Sequence, residues 1–262
     1  MRLYWELARV GFLRYASYRS ATLAGVFTNT VFGFMISAVQ LALFAGHATV
    51  SGYDVAGALT YVWVSQGMLM TVYIFGGWND IALRVRTGDI ATDFHRPVDF
   101  QAYWLVQDLG RAAYHALFRG IPPVLIASLV FRLRLPASPL TWLGFTASLA
   151  LAVCISFLMR FMVNLAAFWI LDFRGVANIA TFSWPFLAGL FGFPLAYLPD
   201  GVYRVVAALP FAAVGQAPLA VFQERPGAVT SVALQVVWVV VLLAAGRVVL
   251  RRARRRLVIQ GG

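Results

Sequence analysis

The sequence predicts an all-α membrane protein with six transmembrane helices. An amphipathic helix on the membrane surface precedes the first span, and a broken helical hairpin lies on the outer side. Three observations predict this. Of 262 residues, 61% are hydrophobic and only 12% charged, with mean hydropathy +0.78, against roughly 25% charged in an ordinary soluble domain. About 20 consecutive apolar residues cross a hydrocarbon core as a helix, and runs near 21–45, 57–79, 140–171, 177–198 and 228–250 approach or exceed that length. A weaker sixth run, near 112–131, carries Arg119 and the pair Pro122 and Pro123. The third observation is the placement of charge. All 21 basic residues are arginine, giving a formal net charge of +11. With the N-terminus inside, only Arg132, Arg134, Arg204 and Arg225 fall outside and Arg160 lies within the membrane; every other arginine is inside. That asymmetry predicts cytoplasmic termini. Making a seventh span of 205–222 would carry Arg251 to Arg256 outside, against the same rule.

The elements follow in chain order. Residues 1–20 place Arg2, Glu6 and Arg9 on one helical face and Leu3, Leu7 and Val10 on another, the pattern of a helix lying along the inner leaflet. Arg14 interrupts that apolar stripe, and the plainer alternative is a basic flank that orients the first span. The first apolar run is too long for a signal-peptide core and is expected to stay in the mature chain. Residues 21–250 then form one six-span domain, with a cytoplasmic loop at 82–111 and an outer re-entrant region at 199–227, followed by a basic tail at 251–262.

The stretch RTGDIATDFHRPVDFQAYW, residues 86–104, is charged and broken where its neighbours are apolar. Pro97 disfavours helical geometry in the residue before it, so a helix capped by Asp89 should end near Arg96 after about two turns. Ile90 and Phe94 share one face at i, i+4, while Asp89, Asp93, His95 and Arg96 supply polar groups around the rest. Asp99 can cap a second helix that climbs into the third span. A solvated loop is the alternative, although ordinary loops are shorter and less amphipathic.

In the fourth span Ser156, Arg160 and Asn164 recur every four residues and form one polar stripe. A charge inside a membrane is a functional hypothesis by default. The stripe either lines a path or lets Arg160 snorkel to the inner headgroups. From the outer end of the fifth span onward, Pro194, Pro199 and Pro210 stop helices at successive points, and Pro210, Gly215, Gln216 and Pro218 divide 205–222 into two short re-entrant or interfacial helices. Irregular backbone survives at membrane depth only when protein covers it or it lines a cavity, so this region reads as an outer cap. A proline-rich outer loop is the alternative.

Several chemistries are excluded or disfavoured. His47, His95 and His115 share no metal-ligand spacing, and Cys154 and Ser156 have no histidine on a neighbouring predicted face. A P-loop requires a lysine on the terminal phosphates, and this chain has none.

These residues resemble the membrane subunit of a type-2 ABC exporter, the ABC-2 permease family, in its bacterial branch. The resemblance rests on Arg86, Gly88, Asp89, Ile90, Asp93, Arg96, Pro97, Asp99, Phe100 and Gln101 in the cytoplasmic loop, and on FWILDFRG, Phe168 to Gly175. It rests also on a glycine, Gly189 or Gly192, followed by Pro194, Leu195 and Pro199, and then by Leu209, Pro210 and Phe211. It implies the type-2 exporter fold, with a coupling helix formed by Asp89, Ile90, Asp93, Phe94, His95, Arg96 and Pro97 that docks on a separate ATPase, and an outer cap at Pro194, Leu195, Pro199, Pro210 and Phe211. Ser156, Arg160 and Asn164 are the translocation-path candidates. The chain itself is then not an enzyme and holds no cofactor. ATP and Mg belong to two partner ATPase subunits, and a second permease, of different sequence ahead of a homodimer, completes the path. Membrane lipid is the remaining partner, nucleic acid is not one, and the location is the bacterial inner membrane. An ion-coupled secondary transporter is the rival; it would show paired inverted repeats with a broken helix in each half, and only one such break is visible.

Overall fold

A computed structural model of the protein describes residues 2–74, 78–170 and 174–260. Among the described residues every regular element is helical apart from one bridge between Val50 and Tyr53. Five helices are long and apolar enough to cross a membrane: Arg19–Leu43, Val55–Tyr73, Phe100–Val130, Pro139–Phe168 and Ala228–Arg256.

Helix α1 (Arg2–Ala16) lies across the start of the third span. Leu3 and Val10 of the apolar stripe expected to face the leaflet are exposed and do not pack on the other helices. Gly11 is the buried position instead, and a Cβ there would run into the Gln107 carbonyl. Gly110 meets Ala8 in the same way, so two glycines set a backbone-to-backbone crossing. Arg14, which breaks the stripe in sequence, reaches Asp80 at 2.8 Å, and that hydrogen bond raises the guanidinium pKa above its ordinary value.

Span one is α2 (Arg19–Leu43). Span two is α3 (Val55–Met68) followed by a π-helical turn at Leu69–Tyr73. Span two is the centre of the molecule, with Tyr61, Val62 and Trp63 fully buried. That explains its lack of amphipathic bias, since a helix that is apolar all round is enclosed on all sides. Its predicted continuation through Phe75, Gly76 and Gly77 lies outside the described residues.

Two short helices follow, α4 (Asp80–Thr87) and α5 (Ile90–Phe94). The third span then begins well before its expected start near 112. It runs from α6 (Phe100–His115) through a π turn at Ala116–Gly120 into α7 (Ile121–Val130). The wide turn accounts for the tolerance of Pro122 and Pro123, which fall in the first turn after it, where absent N–H groups leave no break in the ladder.

Span four is α8 (Pro139–Leu165), capped by the Ser138 hydroxyl on Leu140 N at 3.2 Å. The predicted fifth span at 177–198 is not one continuous helix. Helix α9 (Arg174–Leu187) has 14 residues, about 21 Å at 1.5 Å per residue, and the chain then turns through Gly189 and Gly192, both with positive φ. The outer region is helical in short pieces: α10 (Asp200–Ala208), α11 (Pro210–Val214) and α12 (Gln216–Phe222). Two short helices, α11 and α12, thus lie within 205–222, and the exposed helix α10 ends inside that stretch. Finally α13 (Ala228–Gln260) continues through the stretch read as a basic tail, and Ala253 within that stretch is fully buried.

Direction follows from the contacts. The Arg254 guanidinium lies 4.7 Å from the centre of the Phe94 ring in α5, while Arg14 of α1 is bonded to α4, so α1 and the end of α13 meet at one end of the bundle. At the other end the Gln40 amide in the last turn of α2 donates to the Gly192 carbonyl at 2.9 Å. Gln223 donates to Gly57 O at the start of α3.

Candidate functional site: a surface element bonded to a buried ion network

Gly88, at φ +82°, ends α4 in the left-handed conformation and turns the chain into α5. Asp89 stands at the cap position of α5, but its carboxylate accepts from the Thr87 hydroxyl at 2.8 Å rather than from the helix. The helix ends at Phe94, two residues short of the expected Arg96. Asp99 does cap α6, accepting from Ala102 N at 2.8 Å.

The faces of α5 divide sharply. Ile90 is fully buried, and Phe94 packs on Phe100 with ring centres 4.9 Å apart and stacks near Phe168 at 6.4 Å. Asp93 is buried as well, held by Arg84 (Nη2 to Oδ1, 3.1 Å) and by Arg96 at 3.4 Å. The bond to Asp93 raises the Arg84 pKa. Arg96 also donates to the Tyr103 hydroxyl at 3.2 Å. On the outer face Asp89, Ala91, Thr92, His95, Arg96 and Pro97 are exposed. Of the seven residues proposed for coupling, Ile90, Asp93 and Phe94 therefore hold the element onto the spans, Arg96 is exposed but bonded to Asp93 and Tyr103, and Asp89, His95 and Pro97 are exposed.

The polar stripe of α8 lies inside the bundle. Arg160 is 5% exposed and bonds the Asp108 carboxylate at 2.8 Å; Arg111, 2% exposed, grips the same carboxylate at 2.7 Å. The Arg160 guanidinium therefore does not snorkel; its counter-ion is within the protein. The aromatic ring of Tyr73 faces both guanidiniums, at 4.7 Å from Arg111 and 5.2 Å from Arg160. The π turn of span two frees carbonyls that a regular helix would use internally. Met70 O and Thr71 O accept from Arg111 at 2.7 and 3.0 Å, and Val72 O accepts from Ser156. One turn further along α8, the Asn164 amide donates to Trp78 O at 2.8 Å and accepts from Ala82 N at 3.0 Å. The bonded chain thus runs from Asp108 through Arg160 and Asn164 to α4, and from Arg84 of α4 to Asp93 of α5. A small groove beside Arg160 is lined by Trp78, Asn164, Ala177, Ala180 and Trp184.

At the other end, Leu195 is buried against Val206 and Ala212, with Pro194 buried beside it. Pro199 is exposed before α10, Pro210 opens α11, and Phe211 meets Trp184 at 5.8 Å. Gly189 and Gly192 both need their positive φ: a Cβ on either would also meet a neighbour, the Tyr61 hydroxyl at 2.5 Å or Ile36 Cγ2 at 2.8 Å. The Tyr61 hydroxyl donates to Gly189 O at 2.8 Å, which fastens this turn to span two. A cleft of about 480 Å³ opens nearby, lined by Tyr53, Asp54, Arg134, Gln223, Glu224 and Arg225 among others. Its arginines are engaged, Arg134 with Asp54 and Arg225 on the Tyr53 ring at 3.9 Å. Among the described residues no three His, Cys, Asp or Glu side chains group closely enough to hold a metal ion.

A family model described as ABC-2 family transporter protein matches residues 28–261. The chain belongs to the ABC-2 transporter family. No curated protein and no solved structure matches it. Members of this family are the membrane component of a transporter and not its catalytic part, so the chemistry to be explained in this ABC-2 permease is mechanical and electrostatic. Sequence reasoning missed Asp108 as the partner of Arg160, and Arg111 as the second guanidinium on that carboxylate. The available signal was their own i, i+3 spacing on an amphipathic helix. It also missed Gln235 of α13, fully buried and bonded to Ser148 O at 3.0 Å and Ala213 O at 2.8 Å. Leu171, Asp172 and Phe173 of the FWILDFRG motif lie outside the described residues.

Proposed function

We propose that this chain is a permease subunit of an ATP-driven exporter, spanning the bacterial inner membrane six times with both termini in the cytoplasm. Two copies of a separate ATPase bind ATP and Mg and drive it. A second permease of different sequence supplies the other half of the path, ahead of a homodimer. The fifth crossing is made by α9 and the turn that follows it. The observation that supports coupling is the division of α5. Its apolar side and Asp93 are fixed to the spans, while Asp89, Ala91, Thr92, His95 and Arg96 form an exposed face; Asp93 bonds Arg84 of α4, and α4 is held through Ala82 N by Asn164, one turn from Arg160 on α8. A short helix so mounted suits a groove on a partner and would transmit that partner's closure as rigid-body movement. Ser156, Arg160 and Asn164 act behind the path wall, where they set the angle of α8 against span two.

The test is affinity purification of the tagged chain from native membranes. An ATP-binding subunit is expected to accompany it, and Ala91→Glu with His95→Glu is expected to release that subunit while insertion and thermal stability persist. Recovery of no ATP-binding protein would overturn the function. Undiminished recovery and ATPase stimulation in the double variant would overturn the assignment of α5.

A further inference from the structure

Arg119 is a half-buried cation in the spans with no counter-ion among the described residues. Arg119 sits in the π turn of the third span, and its side chain lies in the groove between that span and α2. Its guanidinium rests against Gly25, where a Cβ would overlap it. Nε is buried without a hydrogen-bond partner, and among the described residues no carboxylate pairs with this side chain. An uncompensated charge at membrane depth is expensive, and such a residue marks a site that expects a partner.

The groove shows what that partner must be. Thr22, Gly25 and Asn29 fall at spacings of three and four, so they form one column on α2. The Thr22 and Tyr114 hydroxyls meet at 2.8 Å at its foot. Asn29 closes the top, donating to Gln66 O at 3.1 Å. Gly25 lies six residues into α2, so the guanidinium rests about 9 Å along that helix from its start. The flanks are apolar and outward-facing: Leu23, Phe27, Leu117 and Phe118 are all exposed. An anion that enters here must carry acyl chains with it.

We propose that Arg119 binds the phosphodiester of an anionic lipid. The lipid comes from the leaflet that bathes the foot of α2, which is the inner one on the orientation proposed above. Basic pockets between transmembrane helices select acidic headgroups by this electrostatics. Gly25 is the positioning residue, because only a missing side chain leaves room for the guanidinium.

The test uses the full chain alone in nanodiscs of phosphatidylcholine with a minor share of phosphatidylglycerol, so its outcome is independent of any ATPase partner. Spin-labelled forms of the two lipids report the preference for the acidic one. Arg119→Gln is expected to lower that preference roughly fivefold, the worth of one basic residue near an anionic surface. Gly25→Ala, which keeps the charge but displaces it, is expected to do the same. Arg119→Lys should keep most of the preference, and Arg204→Gln on exposed α10 all of it. Folded, monodisperse Arg119→Gln and Gly25→Ala proteins that retain the full preference would overturn the proposal. So would an Arg119→Gln protein that loses self-association with its lipid preference unchanged, because the counter-ion would then be an acid of a second permease.

Discussion

At the scale of single residues the decisive group is the Asp108 carboxylate. It is 4% exposed and serves two guanidiniums that are themselves almost fully buried. Removing one partner of a buried ion pair costs about 3–5 kcal/mol, because the other charge is left unsolvated. Asp108→Asn leaves both Arg111 and Arg160 in that condition and is expected to cost at least this much. Arg160→Met leaves Asp108 still held by Arg111 and should cost less, and Asp108→Leu in the Arg160→Met background should cost less than the two single changes added together. Thermal unfolding in detergent checks the order; equal losses for Asp108→Asn and Arg160→Met would show that Arg111 alone does not satisfy the carboxylate. Half of this network is legible in sequence. The i, i+4 spacing of Ser156, Arg160 and Asn164 dictates a common face wherever the helix sits. Asp108 is not legible in the same way, because it lies 52 residues from Arg160 in a segment whose charges suit a solvated loop as well as a buried helix. Only the point at which α6 enters the bundle decides between them.

At the scale of elements, α5 has five residues, too few to be stable as an isolated helix. What holds it is tertiary: Ile90 in the core, Phe94 between Phe100 and the Arg254 guanidinium, and the Asp93 bonds. Phe94→Ala removes the contacts of α5 to Phe100 and Arg254 without changing a residue of the spans themselves. Amide hydrogen exchange across residues 88–99 is expected to speed up roughly thirtyfold, equivalent to about 2 kcal/mol of local opening for a half-buried ring, with little change in global unfolding. If exchange there is unchanged, Phe94 does not anchor the element. The position of α5 is readable from Pro97 and the Asp99 cap, which act locally. Helix α4 is not readable. Eight residues rich in charge carry no span signal, and α4 owes its place to Asn164 and Arg14, both distant in sequence.

At the scale of the whole molecule the open quantity is the number of crossings. A hydropathy window counts apolar residues whatever their backbone does, so it joins 177–198 into one span across Gly189, Gly192 and Pro194, where the chain turns. Contacts restore the crossing in another form. Phe168, just before α9, stacks on Phe94 at one end of the bundle, and the Gly192 carbonyl accepts from Gln40 at the other. The chain between therefore travels the length of the bundle, although α9 supplies only about 21 Å of the roughly 30 Å needed. With five crossings Ser17 and Arg255 would lie on opposite sides of the membrane; with six they share a side, as the basic residues flanking both ends require. Cys154 is the chain's one cysteine, so single exposed cysteines can be placed in a Cys154→Ala background at Ser17, His47, His95, Arg204 and Arg255. An impermeant maleimide added to intact cells is expected to label His47→Cys and Arg204→Cys, and to reach Ser17→Cys, His95→Cys and Arg255→Cys only after permeabilisation. Labelling of Ser17→Cys and Arg255→Cys from opposite sides would reduce the crossings to an odd number. It would also put the arginines at the end of α13 on the face away from α1, against the contacts that bring Arg14 to α4 and Arg254 to α5.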